Sequence, residues 1–446
     1  MRSPILFLLG LATTFASHST GHTIFTTLFV NDVNQGDGTC IRMPKQGNVC
    51  THPLAGGVNS PDMACGRDGQ QAVAFTCPAP AGSKLTLEFR MWADASQPGS
   101  IDPSHLGSTA IYLKPVSNIT TDSASGPGWF KIYGEGYDTA SKKWSTEKLI
   151  ANHGLLSIDL PSGLPTGYYL ARSEIITLQN VTNDYVDPQF YVGCAQLYIQ
   201  STAPSLTIPS DKLASIPGHI SATDPGLSFN VYKDDPVSNP YHVVGPDVFF
   251  PTTFSFSPSS SSAKTNTKVQ TQSASQTDGL VPASCLLKNA NWCGVEVPSY
   301  NSETSCWASS ENCYKQLEEC YNSAPPTGSR GCKAWEEGKC AVIQRACRAG
   351  EWQGPPNKGV KMAFEEDANG GGEGAKIPGA ANAGANDVGG NVGKGNQEQG
   401  NGQEEATPSA TAVAAASSTA AAVAAPTETV KKSCKRMTIR ERRRRN

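Results

Sequence analysis

Short runs of alternating apolar and polar residues recur along the first half of the chain. Residues 84–92 (KLTLEFRMW) and 167–172 (GYYLAR) are examples, and Gly, Pro, Asn and Asp interrupt such runs at short intervals. A period of two places alternate side chains on the buried face of a β-strand. No long stretch shows the periodicity of a helix. Residues 22–251 are therefore predicted to form an all-β domain, an antiparallel β-sandwich, and their number is ample for a hydrophobic core.

The segment before this domain has the layout of a secretory signal peptide. Residues 1–21 begin with a positive charge, continue with an apolar run and end in small residues. The cleavage site requires small side chains at the last and third-last positions of the leader, which Gly21 and Ser19 supply. A cut four residues earlier would put Phe15 in the third-last position. We therefore predict a secreted protein that begins at His22. Cleavage a residue or two away would leave His22 an ordinary strand residue.

The composition changes several times after residue 251. Residues 252–280 are rich in Ser, Thr and Gln, which is typical of a flexible, O-glycosylated linker. Residues 353–430 are rich in Gly, Asn, Ala and Glu and are predicted to be disordered. The tail, residues 431–446, carries nine Lys or Arg against one Glu, although the formal net charge of the chain is −3. A secreted protein rarely meets nucleic acid, so we interpret the tail as a site for anionic wall polymers or for processing. We expect a monomer without a membrane span.

Fourteen cysteines in a secreted chain indicate disulfide bonds. Five fall in the first domain, so at least one is free or pairs outside it: Cys40, Cys50, Cys65, Cys77 and Cys194. Residues 281–352 hold eight more, and the seven-residue steps from Cys306 through Cys313 to Cys320 place three sulfurs on one helical face. We interpret this Cys-rich module as a small helical hairpin with up to four bridges. A zinc site is the competing reading, which the oxidising compartment and the lack of short paired spacings disfavour.

Two sequons in the first domain are candidate N-glycosylation sites. They are Asn118-Ile-Thr and Asn180-Val-Thr. Because acceptor residues must be exposed, we expect both to lie on loops.

An N-terminal His22 would have unusual chemistry. Its α-amine, with an ordinary pKa of about 8, and its ring Nδ1 can chelate one ion. A second imidazole opposite would complete a T-shaped site of three nitrogens, which suits copper. His105, on a loop that enters a predicted strand, is a candidate for that imidazole, although a lone loop histidine is usually only solvated.

The order of several motifs resembles that of fungal lytic polysaccharide monooxygenases of auxiliary-activity family 9, formerly glycoside hydrolase family 61. The similarity covers nearly all of residues 22–251 and does not extend to the Cys-rich module or the tail. The motifs are HTIF (22–25), NQGDGTCIRMP (34–44), SPDMACG (60–66), IDPSHLGSTAIYL (101–113), GWFKIY (128–133), PTGYYLARSEIITL (165–178), DPQFYVGCAQL (187–197) and IPGHISATDPGLSFNVY (216–232).

This resemblance implies an immunoglobulin-like β-sandwich with one copper ion on a flat face. His22 would supply the amine and a ring nitrogen, His105 the third nitrogen, and Tyr191 a distant axial oxygen. Gln189, two residues before Tyr191 on the same strand face, would donate toward the reacting oxygen. The family bridge would join Cys65 to Cys194.

The activity implied is oxidative cleavage of a β-1,4-linked glucan such as cellulose. An external electron donor reduces the copper, which uses O2 or hydrogen peroxide to attack C1 or C4 of a sugar. Tyr241 resembles the aromatic residue of the flat face that stacks on sugar rings.

One departure from the family pattern bears on catalysis. The family's RHEIIALH stretch here reads RSEIITLQ, residues 172–179, so Ser173 and Gln179 replace its two histidines. The second histidine normally serves as a hydrogen-bond and proton partner of the reacting oxygen. An amide donates a hydrogen bond but does not exchange a proton near neutral pH. His153 is the histidine that precedes the motif, and we expect it to have only a loop role.

The sequence therefore raises three candidate functions. The first is a copper-dependent monooxygenase, and the second is a copper-binding, wall-associated protein with weak or no oxidative activity because of Gln179. The third, a hydrolase, requires two carboxylates that flank a bond. Glu174 belongs to the family motif and Asp102 lies beside a predicted copper ligand, so no credible pair is present.

Overall fold

The computed structural model describes residues 22–45, 49–251 and 275–362. The predicted leader, most of the Ser/Thr-rich linker, the low-complexity region after residue 362 and the basic tail lie outside the described residues. The prediction of disorder was wrong for residues 353–362, which pack on the Cys-rich module: Gly354 pairs with Tyr300, and the amide of Met362 donates to the carbonyl of Leu286 at 2.7 Å. Within the described ranges, no helix is long and apolar enough to span a membrane.

β-Strands dominate residues 22–251, and helices are concentrated after residue 300. In chain order the strands are β1 (Ile24–Val30), β2 (Val33–Asn34), β3 (Cys77–Pro80), β4 (Lys84–Arg90), β5 (Gly107–Val116), β6 (Gly126–Glu135), β7 (Tyr137–Asp138), β8 (Lys143–Trp144), β9 (Leu155–Asp159), β10 (Gly167–Thr177), β11 (Val181–Thr182), β12 (Tyr185–Val186), β13 (Gln189–Gln200), β14 (Leu213–Ile216), β15 (Cys285–Asn289) and β16 (Trp292–Val295). The helices are α1 (Ser145–Ala151), α2 (Glu303–Ser323), α3 (Arg330–Trp335) and α4 (Ala341–Arg348), with a π-helical turn at Glu336–Cys340 between the last two.

Two sheets pack face to face and enclose the main core. The smaller sheet has the order β2-β1-β4-β9 and the larger β14-β6-β5-β10-β13-β3. Alternate residues of facing strands fill the space between them, including Leu28, Leu87, Ile111, Ile175 and Leu197. The predicted sandwich is thus confirmed in its two-layer form.

The outer face of the larger sheet is also buried. Long loops place Met63, Ile220, Leu227 and Val244 in a second apolar cluster over this face. Consecutive residues of β10 are consequently buried, which differs from the half-solvated strand that simple alternation predicts.

The prediction of a purely antiparallel sandwich was wrong at one edge. β3 pairs with β13 in parallel, with Cys77 opposite Leu197. β3 has the sequence CPAP, and its two prolines cannot donate ladder hydrogen bonds, so such a strand is confined to a sheet edge. The bridge from Cys77 to Cys40 joins this edge strand to the loop after β2.

The Cys-rich module is a disulfide-linked helical hairpin, as predicted. Bridges connect α2 to the returning helices at Cys306–Cys347, Cys313–Cys340 and Cys320–Cys332. A fourth bridge, Cys285–Cys293, closes a β-hairpin of β15 and β16 that the sequence did not predict. Because all eight cysteines are paired, the zinc reading is wrong.

The module lies against the sandwich. The side chain of Asn291, between β15 and β16, accepts a hydrogen bond from the Cys40 amide at 3.0 Å and donates to the Gly38 carbonyl at 2.8 Å. Gly38 has φ 71°, which strains any other residue, and a Cβ there would lie 3.0 Å from Pro325, so a side chain would require the module to shift. Nη2 of Arg330 also donates to the carbonyl of Asp94 at 3.4 Å.

The odd cysteine of the first domain is also bonded. Cys40 pairs with Cys77 and Cys65 with Cys194, and Cys50 is disulfide-bonded as well. Since the other four pair with each other, the partner of Cys50 lies outside this domain.

Candidate metal centre

Three strand ends of the larger sheet meet at one place. In the register of the sheet, Thr177 at the end of β10 lies opposite Gly107 at the start of β5 and Gln189 at the start of β13. Residues just outside these ends are therefore neighbours. The amide of Leu178 donates to the carbonyl of Leu106 at 2.9 Å, which fixes the loop before β5 to the segment after β10. This arrangement brings His105, Gln179, Gln189 and Tyr191 to one end of the sheet.

His22 reaches the same end from the other sheet. It lies two residues before β1, whose Phe25 packs on Gly193 of β13, with 3.3 Å between the Phe25 Cβ and a Cβ built on the glycine. The ring centroids of His22 and His105 are 6.2 Å apart, with an interplanar angle of 75°. The ring of Tyr191 lies 6.3 Å from both. The structure thus brings the three predicted ligands together.

His105 has an orphaned nitrogen. Its backbone amide donates to the carbonyl of Asp102 at 2.9 Å, and its Nδ1 lies 3.2 Å from Oγ of Ser104. Its Nε2 is buried and has no hydrogen-bond partner among the described residues. Such a buried group costs free energy unless it is satisfied. A metal ion bound at Nε2 would satisfy it.

Both imidazoles are held in the neutral form that binds metals. Burial, and then the neighbouring His52 and His105, lower the pKa of His22 to about 4. Burial lowers the pKa of His105, while Asp102 opposes the shift. Neutral rings keep a lone pair available for coordination near neutral pH.

The donor set fits copper. Within the described part of the chain, no three His, Cys, Asp or Glu side chains converge as a metal site. A metal at His22 and His105 would therefore draw its third donor from elsewhere, and a free amine on His22 would provide it. Two imidazoles and an amine form an all-nitrogen set of donors. Copper binds such a set well, whereas calcium and magnesium prefer oxygen ligands.

Gln189 connects Tyr191 to Gln179. Its Oε1 accepts hydrogen bonds from the Tyr191 hydroxyl at 2.8 Å and from Nε2 of Gln179 at 2.7 Å. Burial raises the pKa of the Tyr191 hydroxyl far above its ordinary value, so this phenol stays protonated. The residue that replaces the family histidine thus lies within the site.

His52 was missed in the sequence. Its ring lies over that of His22, with 4.5 Å between the centroids and an interplanar angle of 54°. The only sequence signal was a histidine in a loop between two cysteines, and nothing in that loop indicates the contact.

Exposed aromatic side chains flank this end of the sheet. Tyr232 is 64% exposed, and its hydroxyl donates to the carbonyl of Gln179 at 3.1 Å. Tyr185, on the β11–β12 hairpin, is 70% exposed. The predicted sugar contact Tyr241 is half-buried, because its ring packs edge-on against Trp144 and Phe229.

The other predicted residues lie outside this cluster. Asn118 and Asn180 are exposed on loops. His153 is exposed in a turn with φ 54°, and Ser173 is buried in β10, where its hydroxyl donates to the carbonyl of Gly193 at 3.3 Å.

Among the described residues, the two carboxylates considered for hydrolysis do not form a pair at this site. Glu174 is buried in an ion pair with Arg172, 2.7 Å between Nη2 and Oε2, and lies 3.1 Å from Nε2 of His219. Oδ1 of Asp102 accepts a hydrogen bond from the Ser104 hydroxyl at 2.7 Å. Both carboxylates are occupied by structural contacts, which argues against hydrolysis.

Comparison with known proteins identifies relatives of this chain. The model of Auxiliary Activity family 9 (formerly GH61) matches residues 22–241. The chain is 44% identical over 348 residues to the AA9 family lytic polysaccharide monooxygenase C of Aspergillus tamarii, covering 77% of this chain and 90% of the relative. It is 45% identical over 352 residues to the AA9 family lytic polysaccharide monooxygenase H of Botryotinia fuckeliana (strain B05.10), covering 79% of this chain and 78% of the relative. The solved structure titled CvAA9A is 33% identical, covers 52% of this chain and all of its own, and has a TM-score of 0.46.

Proposed function

Because the chain belongs to Auxiliary Activity family 9, we propose that it is a secreted, copper-dependent monooxygenase that cleaves the β-1,4-glucan of cellulose at C1, C4 or both. The observation that carries this proposal is the convergence of His22, His105 and Tyr191, with Nε2 of His105 buried and unpartnered among the described residues. The names of the relatives support the reaction class.

Two residues would hold the copper. His22 would contribute its amine and ring, and His105 its Nε2, while the ring of Tyr191 lies beside both imidazoles. When bound, copper supplies one-electron chemistry, in which an external donor reduces it and O2 or hydrogen peroxide oxidises the sugar.

Gln189 is oriented by its neighbours. Its Oε1 already accepts two hydrogen bonds, from Tyr191 and Gln179, so Nε2 is the group left to donate toward the reacting oxygen. Gln179 fixes Gln189 but carries no proton that it can exchange near neutral pH.

Tyr232 is the aromatic residue that we assign first to sugar stacking. Its ring is exposed, and its hydroxyl is anchored beside Gln179. The half-buried ring of Tyr241 packs against Trp144 and Phe229, so we assign Tyr241 a contributing role at the same surface.

The remaining features fit an extracellular, wall-associated enzyme. We place an immunoglobulin-like sandwich at residues 22–251, N-linked sugars at Asn118 and Asn180, and the basic tail on anionic wall polymers. The leader at residues 1–21 would direct secretion, and the protein would act as a monomer.

A second candidate is a copper-binding family member with weak or no oxidative activity. Gln179 favours it, because general acid-base contributions are worth roughly 10²- to 10⁴-fold in rate. Copper binding would survive the replacement, since Gln179 is not among the proposed ligands.

One experiment tests the proposal. Secreted protein would first be sequenced from its N-terminus, where His22 is expected. Copper-loaded protein with a reductant is then incubated with amorphous cellulose, and we expect aldonic or C4-oxidised oligosaccharides that His105→Ala does not produce. Tight copper binding without oxidised product on any β-glucan would favour the second candidate, and absence of copper binding would exclude both.

A further inference from the structure

The contact between His52 and His22 goes beyond the proposed function and rests on it. The two rings are 4.5 Å apart between centroids, which lies at the close end of the range for packed aromatic pairs. They belong to segments 30 residues apart in sequence, so the contact depends entirely on the tertiary fold.

Hydrogen bonds on both sides hold the loop that carries His52. Nη1 of Arg67 donates to the carbonyl of Val49 at 2.8 Å and Nη2 to the carbonyl of Pro53 at 3.1 Å, so one guanidinium spans both sides of His52. The amide of Leu54 donates to the carbonyl of Phe190, the neighbour of Tyr191, at 2.8 Å. The His52 amide closes a turn onto the Val49 carbonyl at 3.1 Å.

His22 needs such support. A residue at the start of a chain has no preceding peptide to restrict it, so its ring orientation must come from packing. Chelation by an amine and Nδ1 of the same residue works only in one ring orientation. His105 approaches the ring edge-on, whereas His52 lies over it at a tilt.

We propose that His52 is a positioning residue, which holds the imidazole of His22 in the orientation that chelation requires. It does so by ring packing rather than by donating a nitrogen to the metal. The absence of any three converging His, Cys, Asp or Glu side chains among the described residues supports packing over ligation. His52 therefore acts on copper only through His22.

The test compares His52→Ala with His52→Phe in full-length secreted protein that begins at His22. Loss of a packed ring pair should weaken Cu(II) binding roughly three- to tenfold. We expect this loss in His52→Ala, together with a broadened or shifted copper electron paramagnetic resonance spectrum. His52→Phe, which keeps a ring but no nitrogen, should retain the wild-type affinity and spectrum. His242→Ala, which removes an exposed histidine elsewhere, is the matched control.

The outcomes separate this inference from the proposed function. If His52→Phe loses affinity as His52→Ala does, a nitrogen is required and positioning by packing is wrong. If both variants match the wild type, the contact has no role. If the wild type binds no copper, the proposed function fails. The contact between the two rings can then be measured in metal-free protein labelled with 13C-histidine. We expect nuclear Overhauser effects between the rings of His22 and His52, and their absence overturns the inference.

Discussion

Nε2 of Gln179 donates a hydrogen bond to Oε1 of Gln189 at 2.7 Å. The same acceptor binds the Tyr191 hydroxyl, so the replacement of the family histidine is integrated into the site and does not leave a gap. Oε1 of Gln179 is buried without a partner among the described residues. The position thus retains a donor and lacks a group that can exchange a proton.

Gln179→His should raise oxidative activity. A histidine can donate one ring N–H to Gln189 and exchange a proton through the other nitrogen, so we expect roughly 10²-fold faster release of oxidised oligosaccharides. Copper affinity should not change. Gln179→Asn, an amide that cannot exchange a proton, is the control and should show no gain. Equal rates for Gln179→His and wild type would mean that proton transfer at this position does not limit the reaction.

Tyr232→Ala should weaken adsorption to cellulose more than Tyr241→Ala does. Tyr232 is 64% exposed, whereas the ring of Tyr241 is half-buried because it packs against Trp144. Stacking or edge contacts of one aromatic ring contribute about 0.5–1.5 kcal/mol beyond area burial, which corresponds to up to roughly tenfold in affinity. Binding isotherms on amorphous cellulose measure the effect. Tyr232→Phe, which keeps the ring, should bind as the wild type does; a larger loss in Tyr241→Ala would assign the sugar contact to Tyr241.

The sequence predicted the parts of the site that depend on chemistry at single residues. His22 was found because an N-terminal histidine can chelate, and the family motifs pointed to His105 and Tyr191. Their proximity follows from the register that places Thr177 opposite Gly107 and Gln189.

The parts that were missed depend on contacts between distant segments. His52 reaches His22 only because Arg67 and Phe190 hold its loop. β3 contains two prolines and no alternation of apolar and polar residues, and its parallel pairing with β13 is a tertiary contact. Hydrophobic patterning carries no signal for either.

Asn291→Ala should destabilise the protein through the contact between the module and the sandwich. The side chain makes hydrogen bonds to Gly38, Cys40 and Ile41, and the substitution leaves the Cys40 amide without its acceptor. The carbonyls of Gly38 and Ile41 keep hydrogen bonds from backbone amides. The expected loss is about 1–3 kcal/mol in the free energy of unfolding. Scanning calorimetry should show a melting temperature several degrees lower.

The control for this contact is Asn322→Ala, at an exposed position of α2. It should melt at the wild-type temperature. If Asn291→Ala also does so, the hydrogen bonds of Asn291 do not stabilise the protein.

His219→Gln should make the protein less sensitive to acid. Burial lowers the pKa of His219 below its ordinary value, and the cations Arg172 and Lys131 lower it further. Glu174 opposes this shift, since its Oε2 lies 3.1 Å from Nε2 of His219. A group with a lowered folded-state pKa stabilises the fold above its unfolded pKa of about 6.5, and this contribution is lost as pH falls toward the folded pKa. Gln keeps a donor for Glu174 but does not titrate. As the pH falls below about 6.5, the melting temperature of His219→Gln should therefore decrease less than that of the wild type. The control His242→Gln, at an exposed position, should follow the wild type. If the melting temperatures of all three proteins decrease in parallel, His219 does not control stability in acid.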